Sequence, residues 1–292
     1  MNAIGKPERA TQDRIIALFL DELEYRYLGD RSDHDNGNVD EVLLRSWLSS
    51  RRYSEPQIER ALYRLHQEAD NPARSLYDNN REVYRLLRYG VQVKTEAGQV
   101  TETVHLVDWD APEANHFALA EEVTLRSSFE RRPDLVLYLN GIAIAVIELK
   151  NASTDAGNAI RQLLFNQQKE FNAWFFSTVQ IVLAGNDSEG LRYGTIKTGE
   201  KYFLQWKEDE ADNRHFKLDK YLRKMCAKAR LLELIHDFVL FDVGVKKLPR
   251  VHQYFGIKAA QARLAERRGG IIWHTQGRAA RASSWCYWRD GS

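Results

Sequence analysis

"RRPDLVLYLNGIAIAVIELKNA", residues 131 to 152, decides the fold. Between Asp134 and Glu148 the only ionisable side chain is the phenol of Tyr138; a carboxylate and an ammonium, Glu148 and Lys150, then close an apolar run of strand character. Residues two apart on a strand face the same way, so Glu148 and Lys150 project together while Ile147 and Leu149 enter the opposite face. Asn140-Gly141 is the strongest short hairpin signal, and folding the chain about it returns Asp134 to the neighbourhood of Glu148. A plain two-residue loop sets Leu139 opposite Ile142 and Asp134 opposite Ile147, on the wrong face. The spacing therefore predicts one extra residue between the strands, from a three-residue loop or a bulge at Gly141, where glycine tolerates positive φ.

Two carboxylates and one ammonium at a sheet end suit a hard divalent cation. Mg²⁺ takes oxygen ligands, typically one or two carboxylates completed by water and substrate phosphate. The lysine then orients or helps deprotonate an attacking water, or stabilises charge on a phosphate being cleaved, so the chemistry is phosphodiester hydrolysis. A bare D…ExK is equally the signature of a strand-end salt bridge.

Outward from this stretch, "TQDRIIALFLDELEYRYL" (11 to 28) places Ile15, Leu18, Phe19, Leu23 and Tyr27 at helical spacing, with Thr11 to cap the start and Gly29 to end it. Two more helices follow, divided at Pro56, which suits a first helical turn. Alternating strands are predicted in 91–95, 102–109 and 117–125, a helix over 158–176, and strands at 179–186 and 191–197. A long amphipathic segment (218–241), a helix from 250 and a strand from Ile271 complete the chain. The class is α/β, a mixed central sheet flanked by helices and preceded by an N-terminal helical region. Val136, Ile144, Val146 and Val182 are expected in its core.

Among 292 residues, 42 Lys and Arg nearly balance 41 Asp and Glu, leaving a formal charge of +1, so any polyanion site must be local. Cys226 and Cys286 lack metal-type spacing, which suggests a reducing compartment. Neither a membrane-length apolar run nor a signal-like N-terminus is visible, and the reading is cytoplasmic without a membrane partner.

The 131–152 stretch resembles the PD-(D/E)xK nuclease motif. With "TQDRIIALFLDEL" and "VHQYFGIKAA…RRGGIIWHTQG", it resembles the nuclease domain of the R, motor-bearing, subunit of type I restriction enzymes, from about Glu8 to Gly277. The resemblance implies a restriction-endonuclease-like sheet, metal-ligand roles for Asp134 and Glu148, and the catalytic-lysine role for Lys150. It implies Mg²⁺, with Mn²⁺ as substitute, double-stranded DNA as substrate, and methyltransferase and specificity subunits as partners; ATP is a requirement of the full-length family alone. The helix after the ExK strand usually carries Q-x-x-x-Y: Gln162 matches, whereas Asn166 stands where the tyrosine belongs. Glu8 is either an additional acid for the site or a surface charge, and Gln162 either a supporting residue or a solvated glutamine. Arg131, Arg132 and Arg161 either meet DNA phosphate or form a solvated basic edge.

On this resemblance residues 1–245 form the nuclease domain, with helices over about 11–90 and the catalytic sheet over about 91–200, and 246–277 begin a motor domain. The tail 278–292, "RAARASSWCYWRDGS", holds no K-[ST] phosphate-loop pair, so no ATP-binding residue is expected. Codons permitted for 278–291 can be chosen so that a shifted frame reads "GSKSLVMVLLARR", and we read the tail as a frameshifted truncation, with a native terminus or an expression scar as the alternatives. The expected function is an Mg²⁺-dependent DNA endonuclease module of an ATP-driven complex; the alternative is a non-catalytic remnant that docks on DNA or partner subunits.

Overall fold

The protein is described by a computed structural model over residues 6–34, 36–95, 100–126, 129–208, 212, 214–269 and 271. Helix α1 (Lys6–Ala17) widens into a π-turn at Leu18–Glu22. The chain then turns through Glu24, at φ +56°, into strand β1 (Arg26–Asp30). The helical spacing read through Tyr27 thus fails after Glu22. Aromatic "YRYL" suits a pleated edge, and it gains a parallel ladder on the central sheet. Nor does Thr11 cap the helix, which starts five residues earlier; Thr11 is interior and meets Asp187.

Helices α2 (Glu41–Ser50) and α3 (Glu55–Ala69) divide at Pro56 as expected, and Gln57 accepts the backbone N–H of Ser54. After α4 (Leu76–Tyr89), strands β2 (Val91–Val93) and β3 (Glu102–Val104) pair only with each other. Then come β4 (Phe117–Glu121), β5 (Leu135–Leu139), β6 (Ile142–Leu149), α5 (Ala156–Asn166), β7 (Ile181–Asn186), β8 (Gly190–Gly194) and β9 (Leu204–Gln205). Together with β1 they form a seven-stranded mixed sheet in the order β1-β4-β5-β6-β7-β8-β9, with β1·β4 and β6·β7 parallel and the other pairs antiparallel.

Helix α5 stops at Asn166 rather than running to residue 176. The Asn166 carbonyl takes the N–H of Asn172, and the chain turns back through Phe175–Ser177 toward the start of β7. The amphipathic segment after the sheet likewise divides, into α6 (Lys217–Met225) and α7 (Lys228–Phe238), at buried Cys226. A hairpin of β10 (Leu240–Asp242) and β11 (Val245–Lys247) and helix α8 (Val251–Ala265) follow; α8 buries Tyr254 and Ile257 in the same core as α7. The expected strand after Ile271 and the tail 278–292 lie outside the described residues.

The sheet separates two apolar layers. One joins Ile15, Phe19, Trp47, Leu137, Ile147 and Leu183; the other joins Val136, Val146 and Val182 to Ile160 and Leu163 of α5. All four expected core residues are buried, but Ile144 enters the first layer and Val146 the second, although they are two apart. Pairing runs Leu139↔Ile142, Tyr138↔Ala143, then Leu137↔Ala145, so Ile144 is the extra residue of a β-bulge.

Candidate active site

The Asn140-Gly141 loop keeps its two-residue form, with φ +52° and +88° as the twisted hairpin turn requires. Gly141 is obligatory for a second reason: a Cβ there would lie 2.5 Å from the Asp40 carbonyl oxygen. The expected one-residue offset is therefore present, but it comes from Ile144 inside β6 and not from the loop. Its consequence is Leu135↔Ile147 pairing, which carries Asp134 to the level of Glu148. Glu148 shares its face with Val146 and pairs alongside Ala184 of β7, so it projects into the α5 layer.

Asp134 is fixed by the Leu149 N–H, which donates to its Oδ2 at 2.6 Å. Glu148 is 0 % exposed, and neither of its carboxylate oxygens receives a hydrogen bond. Burial pushes the Asp134 carboxyl up to about 6, against the opposing pull of the Leu149 N–H and Lys150. Burial, reinforced by Asp134, pushes Glu148 well above the usual carboxylate range. Two such groups side by side repel when both are ionised and hold together when they share a proton or a cation.

Lys150 continues the ladder, its N–H on the Gly185 carbonyl, and its ammonium reaches Glu8 Oε1 at 2.8 Å. Burial works against its charge, but Glu8 and Asp134 outweigh it and leave the lysine above its ordinary value. Lys150 is thus a protonated donor. Glu8, read from sequence as a possible fourth member, belongs to the cluster through this ion pair.

Helix α1 is held over the sheet end by contacts that sequence reasoning missed. Gln12, 4 % exposed, donates to Glu121 at 2.9 Å, to Glu122 at 3.2 Å and toward the Asp134 carbonyl at 3.5 Å. Arg9 and the Tyr27 hydroxyl also donate to Glu121. Arg14 bridges Asp187 and Asp219 and stacks on Phe216. Glu122 is forced to φ +50°, its N–H on the Asp134 carbonyl, and its charge raises both Asp134 and Glu148. The one available signal was that Gln12 lies four residues after Glu8, on the same helix face.

None of the other expected residues hydrogen-bonds the carboxylates. Gln162 is half-buried on α5 and makes no hydrogen bond to Asp134, Glu148 or Lys150. Asn166, in the tyrosine's place, is buried with its side-chain amide unpartnered. Arg131 stacks on Phe165 and Phe171, Arg132 pairs with Glu130, and Arg161 pairs with Glu200.

The donor set fits a divalent cation. Glu148 offers two buried oxygens without hydrogen-bond donors, beside an oriented Asp134. Among the described residues no three His, Cys, Asp or Glu side chains converge as a complete cage. An open carboxylate pair is what Mg²⁺ uses when water and phosphate fill its remaining positions.

A mixed sheet carrying an acid pair and a lysine at one strand end defines a nuclease-like architecture. A profile of the type I restriction enzyme R protein N terminus matches residues 5–201, and the chain belongs to that family. It is 31 % identical over 221 residues to the type I restriction enzyme HindI endonuclease subunit of Haemophilus influenzae, covering 68 % of this chain and 21 % of that protein. The MjaIXP and MjaVIIIP endonuclease subunits of Methanocaldococcus jannaschii are 26 % and 27 % identical over 255 and 219 residues; the matches cover 74 % and 67 % of this chain, and 24 % and 20 % of those proteins. The matches thus span about a fifth to a quarter of the length of these relatives. Among the described residues no helix is long and apolar enough to cross a membrane.

Proposed function

We propose that this chain is the nuclease module of a type I restriction endonuclease subunit, cleaving phosphodiester bonds of double-stranded DNA with Mg²⁺, or Mn²⁺ in its place. The observation that carries this reading is the bulge at Ile144, which aligns Asp134 with a fully buried Glu148 that has no hydrogen-bond donor. A strand-end salt bridge would saturate its acid with the neighbouring lysine. Here Lys150 turns to Glu8 and leaves Glu148 open.

Asp134 and Glu148 would hold the cation, which supplies polarisation of a phosphate oxygen and a water of lowered pKa. Lys150, protonated, donates to a non-bridging phosphate oxygen and stabilises charge that grows as the bond breaks. Glu8 holds the ammonium in place until phosphate competes for it. The Leu149 N–H keeps Asp134 from rotating away from its partner. Selection of unmodified DNA and ATP-driven movement would belong to methyltransferase, specificity and motor parts of a larger complex.

The test is plasmid nicking by the purified chain, and by the chain restored within a full-length endonuclease subunit. Cleavage that requires Mg²⁺ or Mn²⁺ and disappears in Lys150→Ala is expected. Metal-independent cleavage, or an intact Lys150→Ala, contradicts the reading; no cleavage in either context makes the domain a docking remnant.

A further inference from the structure

Three residues before Asp134 the chain carries an exposed aromatic stack that neither the fold nor the acid pair requires. Arg131 is pinned across a loop to Leu125 by reciprocal backbone hydrogen bonds of 2.7 and 3.1 Å. Its guanidinium lies 5.1 Å from the centre of the Phe165 ring and 5.2 Å from that of Phe171. Phe165 and Phe171 are 4.1 Å apart at 38°, and Phe129 meets Phe171 at 5.2 Å and 44°. Despite this order Phe129 is 56 % and Phe165 41 % exposed. Rings stacked beside a guanidinium and left in water are a surface prepared for another π-system.

Position says which one. Three extended residues span at most about 11 Å, so the Arg131 backbone lies within about 11 Å of that of Asp134, with the rings one arginine side chain further on. A nucleic-acid strand advances about 3.4 Å per nucleotide in the duplex, so the rings are within a few nucleotides of the acid pair. Phe165 rides on α5, whose Ile160 and Leu163 pack in the same layer as Val146 and Ala184, the layer into which Glu148 projects. A DNA strand whose scissile phosphate sits at the acid pair is long enough to reach this stack. The two segments that carry it, 126–132 and 165–171, hold Arg126, Arg131, Arg132 and Lys169 against Glu130 and Glu170, an excess of cations on a chain whose net charge is only +1.

We propose that Phe129, Phe165 and Phe171, held by Arg131, form a stacking platform for a nucleobase displaced from the duplex a few nucleotides from the scissile phosphate. The inference rests on the nuclease reading and adds a base contact to it. A platform of this kind is tolerant of sequence, because every base has a π-face. It favours DNA whose base is already unpaired, since unstacking then costs least.

The experiment measures DNA binding by fluorescence anisotropy with the purified chain in Ca²⁺, using a fully paired duplex and the same duplex with one mismatch. Tighter binding of the mismatched duplex by the unaltered chain is expected. The Phe129→Ala, Phe165→Ala double variant should bind it roughly 5- to 100-fold more weakly and lose the mismatch preference, with an unchanged melting temperature. Tyrosine at both positions should retain both properties, and leucine at both should not. Leucine binding like phenylalanine, no mismatch preference in the unaltered chain, or no DNA binding overturns the platform. A dimer that the alanine pair converts to monomer assigns the face to a second copy and also overturns it. Asp134→Ala separates the two readings: it should fail to nick, yet keep the mismatch preference when binding is measured without divalent ions. Intact nicking by Asp134→Ala removes the catalytic assignment while leaving the platform standing.

Discussion

The two ends of β6 treat a buried polar side chain in opposite ways. Asn140, 0 % exposed in the turn, donates to the Leu106 carbonyl and to Asn115 Oδ1 and accepts the His116 N–H. Glu148, equally buried at the far end, receives no hydrogen bond. A buried amide satisfied three times is a staple; a buried carboxyl whose neighbour is another acid, Asp134, costs stability once both ionise, and a shared proton or a cation relieves that cost. The bulge at Ile144 lies between them. It spares the turn and shifts only the strand end, so the hairpin is closed by structural chemistry at one end and open at the proposed cation site.

Removing the open end's function should give the largest effect. Asp134→Ala and Lys150→Ala are each expected to reduce metal-dependent nicking about a hundredfold or more, as loss of a charge-stabilising group does. In a gel shift without divalent ions Asp134→Ala should keep near-normal DNA affinity, whereas Lys150→Ala, which loses a phosphate contact, should weaken it modestly. Next comes the closed end. Asn140→Ala should destabilise the protein by roughly 2–4 kcal/mol in urea unfolding, since it strands the Leu106 and His116 backbone groups and leaves a positive φ to a residue that resists it. Its nicking per folded molecule should be unchanged.

Glu148→Gln inverts the sign of that effect. A carboxyl whose folded pKa is raised above its unfolded value contributes most below the unfolded value, and its contribution falls as pH rises through the folded one. Asp134 at about 6, with Glu148 raised beside it, sets that window. Without divalent ions, the unaltered chain should therefore lose stability relative to Glu148→Gln as pH rises from about 5, by roughly 1–2 kcal/mol at neutral pH. Melting temperatures followed across that range check it; equal slopes for the two proteins would show that Glu148 is not held protonated. The smallest effect is expected from Gln12→Ala, which frees Glu122 and the Asp134 carbonyl from α1. Its divalent affinity should fall about tenfold, as for other groups that orient a ligand from behind.

Much of the open end was legible in the sequence, and for a physical reason. Strand alternation places Glu148 and Lys150 together, and Asn140-Gly141 announces the turn, so the count to Asp134 already demanded one extra residue. Its location was not legible. Glycine advertises a bulge, but isoleucine suits any buried strand, and Ile144 becomes the bulge only because both neighbouring strands are in place, with the Gln180 N–H on its carbonyl. The edge strand Arg26–Asp30 was hidden for a similar reason: Leu23 and Tyr27 fit helical spacing, and only the free edge of β4 makes extended pairing better. Gln12 and Arg9 reach residues more than a hundred positions away, beyond any local pattern. The end of α5 depends on a buried loop contact, which periodicity over 158–176 cannot register.

The most direct measurement is calorimetric titration of Mn²⁺ into the purified chain at about pH 7 in buffers of different ionisation enthalpy. One saturable site is expected, with proton release because Glu148 must ionise to accept the cation. Both the binding and the release should disappear in Glu148→Gln. Binding that persists in Glu148→Gln, or that releases no proton in the unaltered chain, would contradict the assignment of the buried acid pair as a cation site.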